Sequence, residues 1–242
     1  MSGHSKWSQI KHKKALTDAK KGKLFSKLAK VISLLAKNDN NIETNPSLRM
    51  AVEKAKSVNM PAENVERAIK KSSGEIEGVK MEEVIYEVYG PGGSALILEG
   101  ITNNKNRTVA EIKHILNRCN GKLAETGSVS WLFNKKGLLE IQTDENKDKI
   151  KDDLELIAIE SGADDFEWLQ NNTFLIYTSV DKLEEIKKYL ENKQIKISSS
   201  ALDLIPKNPV KIDDPKIREQ FDKLFEELDE HDDINEIYSN LE

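Results

Sequence analysis

The fold class expected from the sequence is α+β multidomain: an N-terminal three-helix domain followed by two ferredoxin-like α/β domains, one inserted in the other. Three observations lead there. Apolar residues recur at helical spacing as far as Ser72-Ser73-Gly74, the pattern changes to alternation from Glu82, and a complete β-α-β-β-α-β order lies between Gly137 and Pro206. The expected boundaries are 1–80 for a basic helical domain with an N-terminal arm, 81–136 plus 206–242 for a discontinuous α/β domain, and 137–205 for the insert.

In the first region, Leu24, Leu28, Val31, Ile32 and Leu35 fall on one face of a helix running from Leu24 to Lys37, with Lys23, Lys27, Lys30 and Lys37 on the opposite, solvent-facing side. Asn45-Pro46 supplies a cap followed by proline in the first turn, opening a second helix with a Leu48, Val52, Ala55, Val58 stripe. Pro61 opens a third, in which Val65, Ala68 and Ile69 face inward. The segment Ser72 to Lys80 reads as a linker.

Beyond it, Val84–Tyr89 and Ser94–Ile101 read as strands joined by a Gly90-Pro91-Gly92-Gly93 turn. A phosphate cradle at that turn would need a helix directly after it, and a strand follows instead. Thr108-Val109-Ala110-Glu111 has capping-box spacing and is expected to open a helix ending at Asn120-Gly121. Val129, Trp131 and Phe133 alternate with smaller residues, predicting a strand with a buried aromatic face. Within the insert the expected order is strand Leu138–Thr143, helix Glu145–Ser161, strands Asp165–Gln170 and Thr173–Ser179, helix Asp181–Asn192, and strand Lys196–Leu204. The α-β that the preceding region lacks appears at Pro215–His231 and Ile234–Ser239.

Charge is distributed unevenly along this plan. Residues 1–37 hold ten Lys and one acid, Asp18, a net of +9, whereas the remainder carries 27 basic against 41 acidic residues, a net of −14. A local cationic field of this kind draws in polyanions even when the whole chain is negative. His4, Lys6, Trp7, Lys11, Lys13 and Lys14 are expected to form a mobile arm that orders on a phosphate backbone, with Trp7 stacking on a base or sugar. Lys20, Lys21, Lys23, Lys27 and Lys30 extend the same nucleic-acid-binding surface along the first helix.

Other function classes find little support. The four histidines, His4, His12, His114 and His231, show no metal-ligand spacing, so no metal or other cofactor is expected. Cys119 reads as a small buried hydrophobe, and a single cysteine suits a reducing compartment. The acids from Asp213 to Asp233 read as a solvated helix face whose charge would repel a nucleic-acid substrate. No window is apolar enough to span a membrane, and the N-terminus lacks the apolar run of a secretory signal; its Lys-rich character is read as a mature terminus rather than a transit peptide. A cytoplasmic, non-enzymatic protein is expected, without a small-molecule substrate.

Gly3-His4-Ser5-Lys6-Trp7, Lys13-Lys14, Asp18-Ala19-Lys20-Lys21-Gly22-Lys23, Asn45-Pro46, Tyr86-Glu87, Tyr89-Gly90-Pro91-Gly92-Gly93, Asn106-Arg107-Thr108-Val109-Ala110-Glu111 and Gly127-Ser128-Val129, in this order, resemble the YebC/PmpR family almost end to end. The resemblance implies a three-helix domain followed by two α/β domains and a cytoplasmic protein of gene expression. Bacterial members are commonly described as DNA-binding transcriptional regulators. Others have been placed on the ribosome, where they ease pausing, and a mitochondrial relative is a translational activator of cytochrome oxidase subunit one. The implied partner is therefore DNA or ribosomal RNA. Asn103-Asn104-Lys105 departs from the family's D-N-R pattern, keeping the turn character with one charge fewer.

Overall fold

The computed structural model describes residues 18–72, 81–143, 148–169 and 172–242. Among the described residues the chain opens with three helices: α1 (Asp18–Leu35), α2 (Pro46–Ser57) and α3 (Ala62–Ser72). The first is already helical at Asp18, six residues before the apolar period starts, and Gly22 is accommodated within it. Asn45 fixes the α1–α2 corner from both sides. Its side-chain oxygen accepts from the Leu48 N–H at 3.0 Å, while its Nδ2 donates to the carbonyls of Leu35 (3.0 Å) and Asp39 (2.8 Å). Leu28, Ile32, Leu48, Val52, Ala55, Val65 and Ala68 are buried together, as their spacing predicts, with Ala36, Ala51 and Met60 completing the cluster.

The next elements are β1 (Glu82–Tyr89), β2 (Ala95–Thr102), α4 (Lys105–Arg118) and a two-residue β3 (Lys122–Leu123). Strands β1 and β2 form the expected hairpin, in register from Glu82 opposite Thr102 to Tyr89 opposite Ala95. Its turn needs glycine at position 92, which has φ +68°, and where a Cβ would lie 2.9 Å from side-chain atoms of Ile212 and Ile217. Helix α4 starts earlier than the capping-box spacing suggested. Asn104 is its cap, accepting from the Arg107 N–H at 3.1 Å, and Thr108 is a buried residue of the first turns.

After β3 the chain enters residues 134–205, one of two compact units in the structure. This unit contains β4 (Phe133–Gln142), α5 (Asp148–Glu160), β5 (Asp165–Leu169), β6 (Thr173–Thr178), α6 (Leu183–Asn192) and β7 (Ser199–Pro206). The sheet order is β5-β6-β4-β7, the arrangement expected of a ferredoxin-like unit. Leu139, Ile141, Phe174, Ile176, Leu154, Ala158 and Ile186 are buried, and Trp168 lies 4.5 Å from Phe174 between ring centroids.

The other unit, which holds the three N-terminal helices as well as β1, β2, α4 and β3, is completed by α7 (Pro215–Asp229) and β8 (Ile234–Ser239). Asp214 caps α7 by accepting from the Lys216 N–H at 2.8 Å. Strand β8 pairs antiparallel with β2, giving the sheet order β3-β1-β2-β8. This β-β-α-β…α-β order is not the ferredoxin-like one, so that part of the expectation is corrected: two strands enter as a hairpin where a ferredoxin-like unit would place a helix between them. Val88, Leu96, Leu98, Ile112, Leu116, Phe221, Leu224, Leu228 and Ile234 form its core, which includes Cys119. Where the chain leaves for the insert and returns, the Lys207 N–H donates to the Leu132 carbonyl at 2.8 Å.

The strand expected at Val129 to Phe133 is also corrected. Gly127 to Leu132 is a sequence of turns in which Val129 is buried and Trp131 is 61% exposed. Alternation misleads here because a tight turn can bury two residues and expose the one between.

Candidate nucleic-acid interface

Helix α1 carries Lys20, Lys23, Lys27 and Lys30 three or four residues apart, which aligns them along one face. Only part of that face stays wet. Lys20 forms ion pairs with Glu226 (3.6 Å) and Glu230 (3.3 Å). The Lys23 ammonium donates to the Glu230 carbonyl at 3.3 Å, Lys27 to the Asp229 carbonyl at 2.5 Å, and Lys30 to the Asp232 carbonyl at 2.9 Å and to Asp233 Oδ1 at 3.0 Å. Lys27 is buried and Lys30 half-buried, while Lys20, Lys21 and Lys23 remain exposed.

The cause is at the end of α7, which has no basic residue in its last turn. A helix C-terminus presents unpaired carbonyls and partial negative charge, and cations there are stabilising. Here the cations come from a different helix. The acids of 213–233 are accordingly not a uniformly solvated face. Glu226, Glu230 and Asp233 meet α1, Glu227 pairs with Arg118 at 2.6 Å, and Asp222 pairs with Arg218. A further link joins Lys54 on α2 to Glu236 on β8.

Asp233 sits at the centre of this polar junction. Its Oδ2 accepts from Arg107 Nη2 at 2.7 Å and from the hydroxyls of Thr102 (3.0 Å) and Thr108 (2.9 Å). Its main-chain carbonyl accepts from the Ile101 N–H, packed so closely over Gly100 that a Cβ there would lie 2.2 Å from it. Burial opposes ionisation of the carboxyl, but donors from Arg107, Lys30, Thr108 and Thr102 outweigh it and hold the group well below the usual carboxylate range. The sequence did not single out Asp233. The signal lay in Asn106-Arg107-Thr108 and its need for a buried anion.

His231 and Glu111 complete the cluster. His231 Nδ1 accepts from the Asp233 N–H at 3.1 Å, and its Nε2 lies 3.0 Å from Glu111 Oε2. Glu111, His231 and Asp233 bring potential metal ligands within 4.8 Å of one another. Their donor atoms are already committed to hydrogen bonds, and Arg107 and Lys30 supply two positive charges beside the carboxylate, so the set fits a structural junction rather than a cation site. At the departure from the family pattern, Lys105 pairs with Glu82 at 2.7 Å and Asn104 caps α4.

A second buried carboxylate shapes the Gly127-Ser128-Val129 turn. Glu87 of β1 accepts from the N–H groups of Gly127 (2.7 Å), Val129 and Ser130 (3.0 Å). Burial again opposes its ionisation, and the three backbone donors hold its pKa below the ordinary value. Trp131 Nε1 and the Tyr89 hydroxyl both donate to the Ser128 carbonyl, at 2.9 and 3.2 Å.

Of the sequence-predicted contacts, the structure brings Lys20, Lys23, Lys27 and Lys30 together with the acidic end of α7 and leaves Lys21 exposed. His4, Lys6, Trp7, Lys11, Lys13 and Lys14 lie outside the described residues, as do positions 73–80 of the expected linker. Among the described residues, no helix is long and apolar enough to cross a membrane.

Three N-terminal helices and two four-stranded antiparallel sheets, one of them the ferredoxin-like sheet of 134–205, define an α+β protein of two compact units. The family models described as the TACO1/YebC protein N-terminal domain and the TACO1/YebC second and third domain match residues 5–75 and 81–241. The chain belongs to the TACO1/YebC family. It is 48% identical over 243 residues to a probable transcriptional regulatory protein of Halothermothrix orenii, covering 100% of this chain and 95% of that one. A probable transcriptional regulatory protein of Thermotoga maritima is 46% identical over 245 residues, covering 100% and 94%. The crystal structure of a conserved hypothetical protein, Aq1575, from Aquifex aeolicus is similar with a TM-score of 0.85 and 42% identity, covering 98% of this chain and 96% of that one.

Proposed function

We propose that this protein is a non-enzymatic, nucleic-acid-binding regulator of gene expression, in keeping with the names its relatives carry. The observation that supports this best is the cationic N-terminal region, ten lysines against one acid in residues 1–37, on a chain whose remainder is strongly acidic. The proposed contacts are His4, Lys6, Trp7, Lys11, Lys13, Lys14, Lys20, Lys21 and Lys23. Lys27 and Lys30 serve first to dock α1 on the end of α7.

Within that function, a ribosome-associated, RNA-binding role in translation is the second reading, and one feature favours it. Base readout in duplex DNA usually relies on Arg, Asn or Gln offered from a recognition helix, whereas the polar side of α1 is lysine, a residue suited to phosphate contacts. Binding through the backbone would separate specific from random DNA by far less than the roughly thousandfold typical of dedicated regulators. The test is crosslinking in growing cells with DNA and RNA both recovered. Recovery chiefly of ribosomal RNA supports the translation role. Discrete promoter segments, preferred about a thousandfold over random DNA by the purified protein, establish the transcriptional one. Failure to recover either nucleic acid overturns the proposal.

A further inference from the structure

The lysine face of α1 already has an anionic occupant, the end of α7 and the turn leading into β8. We propose that this contact is autoinhibitory: the acidic 226–233 segment holds α1 closed, and a polyanion engages the full lysine face only by displacing it. The inference rests on the nucleic-acid reading above and adds its regulation.

Three features of the contact suit it to exchange rather than permanent closure. First, the acceptors that the α1 lysines meet on this segment are oxygens, from the carbonyls of Asp229, Glu230 and Asp232 or the carboxylates of Glu226, Glu230 and Asp233. Phosphate oxygens can take each of those places, and the released carbonyls return to water. Second, the hydrophobic cluster of α1, α2 and α3 shares no residue with the cluster that contains Leu224, Leu228 and Ile234, so separation at the lysine face divides neither core. Third, the polar atoms are unevenly satisfied. Asn235 Nδ2 reaches the Lys27 carbonyl at 3.3 Å, yet its Oδ1 is buried without a hydrogen-bond partner among the described residues, which favours an alternative arrangement.

Asp233 is also prepared for the loss of Lys30. Its Oδ2 keeps Arg107, Thr102 and Thr108, all on the α/β side of the contact, so opening does not strand a buried charge. Glu226 and Glu230, with side chains 63% and 48% exposed, form the outer rim and are the groups an approaching polyanion would displace first.

The test uses the full chain, a fluorescent single-stranded oligonucleotide and a random duplex. Glu226→Gln with Glu230→Gln is compared with a charge-matched control, Glu83→Gln with Glu125→Gln, which alters exposed acids elsewhere on the same unit. Removing the rim acids is expected to tighten binding about three- to tenfold, the scale of a few surface ion pairs, and the control by less than about twofold. Saturating oligonucleotide should also speed amide exchange across 229–235 in the wild-type protein. Equal gains from both pairs, or unchanged exchange on binding, overturn the autoinhibitory contact and leave the nucleic-acid reading standing. Failure of every variant, wild type included, to bind either probe overturns the reading itself.

Discussion

Arg107 and Asp233 are 126 positions apart in sequence and 2.7 Å apart in space. Their contact joins the first turn of α4 to the residue just before β8, and Lys30 adds α1 to the same carboxylate. Replacing Asp233 with Asn should destabilise the fold by about 3 kcal/mol, because it leaves two cations facing a partly buried site without their anion. Arg107→Gln should cost less, since Lys30, Thr102 and Thr108 still donate to the carboxylate. Chemical denaturation that shows Asp233→Asn no more harmful than Arg107→Gln would contradict this ordering.

Acid stability should depend on the same carboxylate and on Glu87. Both have folded pKa values below their unfolded ones, about 3.9 for Asp and 4.3 for Glu. Depressed carboxyls contribute stability that is fully present above the unfolded values and is lost as pH falls through the folded ones. Thermal melts should therefore be nearly flat from about pH 5 to 7 with respect to these groups and fall steeply below about pH 4. Asp233→Asn with Glu87→Gln should flatten the acid limb, and an unaltered limb would show that other groups govern it.

Glu87→Gln alone tests the turn. Two carboxylate oxygens serve three backbone donors, and an amide has one oxygen to offer them. A loss of about 1–3 kcal/mol is expected, with a change in the emission of Trp131, whose indole bonds within that turn. Unchanged emission and stability would remove Glu87 as its organiser.

Gly92→Ala should destabilise by about 1–3 kcal/mol. The residue has φ +68°, and an added Cβ would press on Ile212 and Ile217. Gly93→Ala, also at positive φ but with open space around it, should be milder; equal losses would mean that backbone strain alone decides.

Binding should be steeply salt-dependent. Neutralising Lys11, Lys13, Lys14, Lys20, Lys21 and Lys23 is expected to lower the log–log salt slope by about 0.7–0.9 for every phosphate that the protein no longer neutralises. An unchanged slope in the sextuple variant would place the interface elsewhere.

Much of this architecture was legible because local signals agreed with the fold. Asn45-Pro46, the apolar period of α1 and the hairpin around Gly90–Gly93 each have a local cause, and the structure keeps them. What local pattern could not supply was long-range charge pairing. The wet face assigned to Lys27 and Lys30 depends on what lies opposite, and the acids that meet them are some two hundred residues away. The Thr108 start for α4 failed for a related reason. Local spacing makes its hydroxyl a cap, whereas Asp233 claims it from the far end of the chain. Alternation alone points to a strand with Trp131 buried, whereas Glu87 bends that segment into a turn.

The late position of β8 has a consequence for how the protein is made. Strand β2 lies between β1 and β8, and α7 brings Phe221, Leu224 and Leu228 to the core beneath them. During synthesis, Ile234 follows Thr102 by on the order of ten seconds at ordinary elongation rates. Through that interval one edge of β2 has no partner for its N–H and C=O groups, while 134–205 emerges with all its own strands. The inserted unit can complete its sheet before the unit that surrounds it, and a chain that stops short of Ile234 is left with an open β2 edge, the kind of surface that recruits other chains.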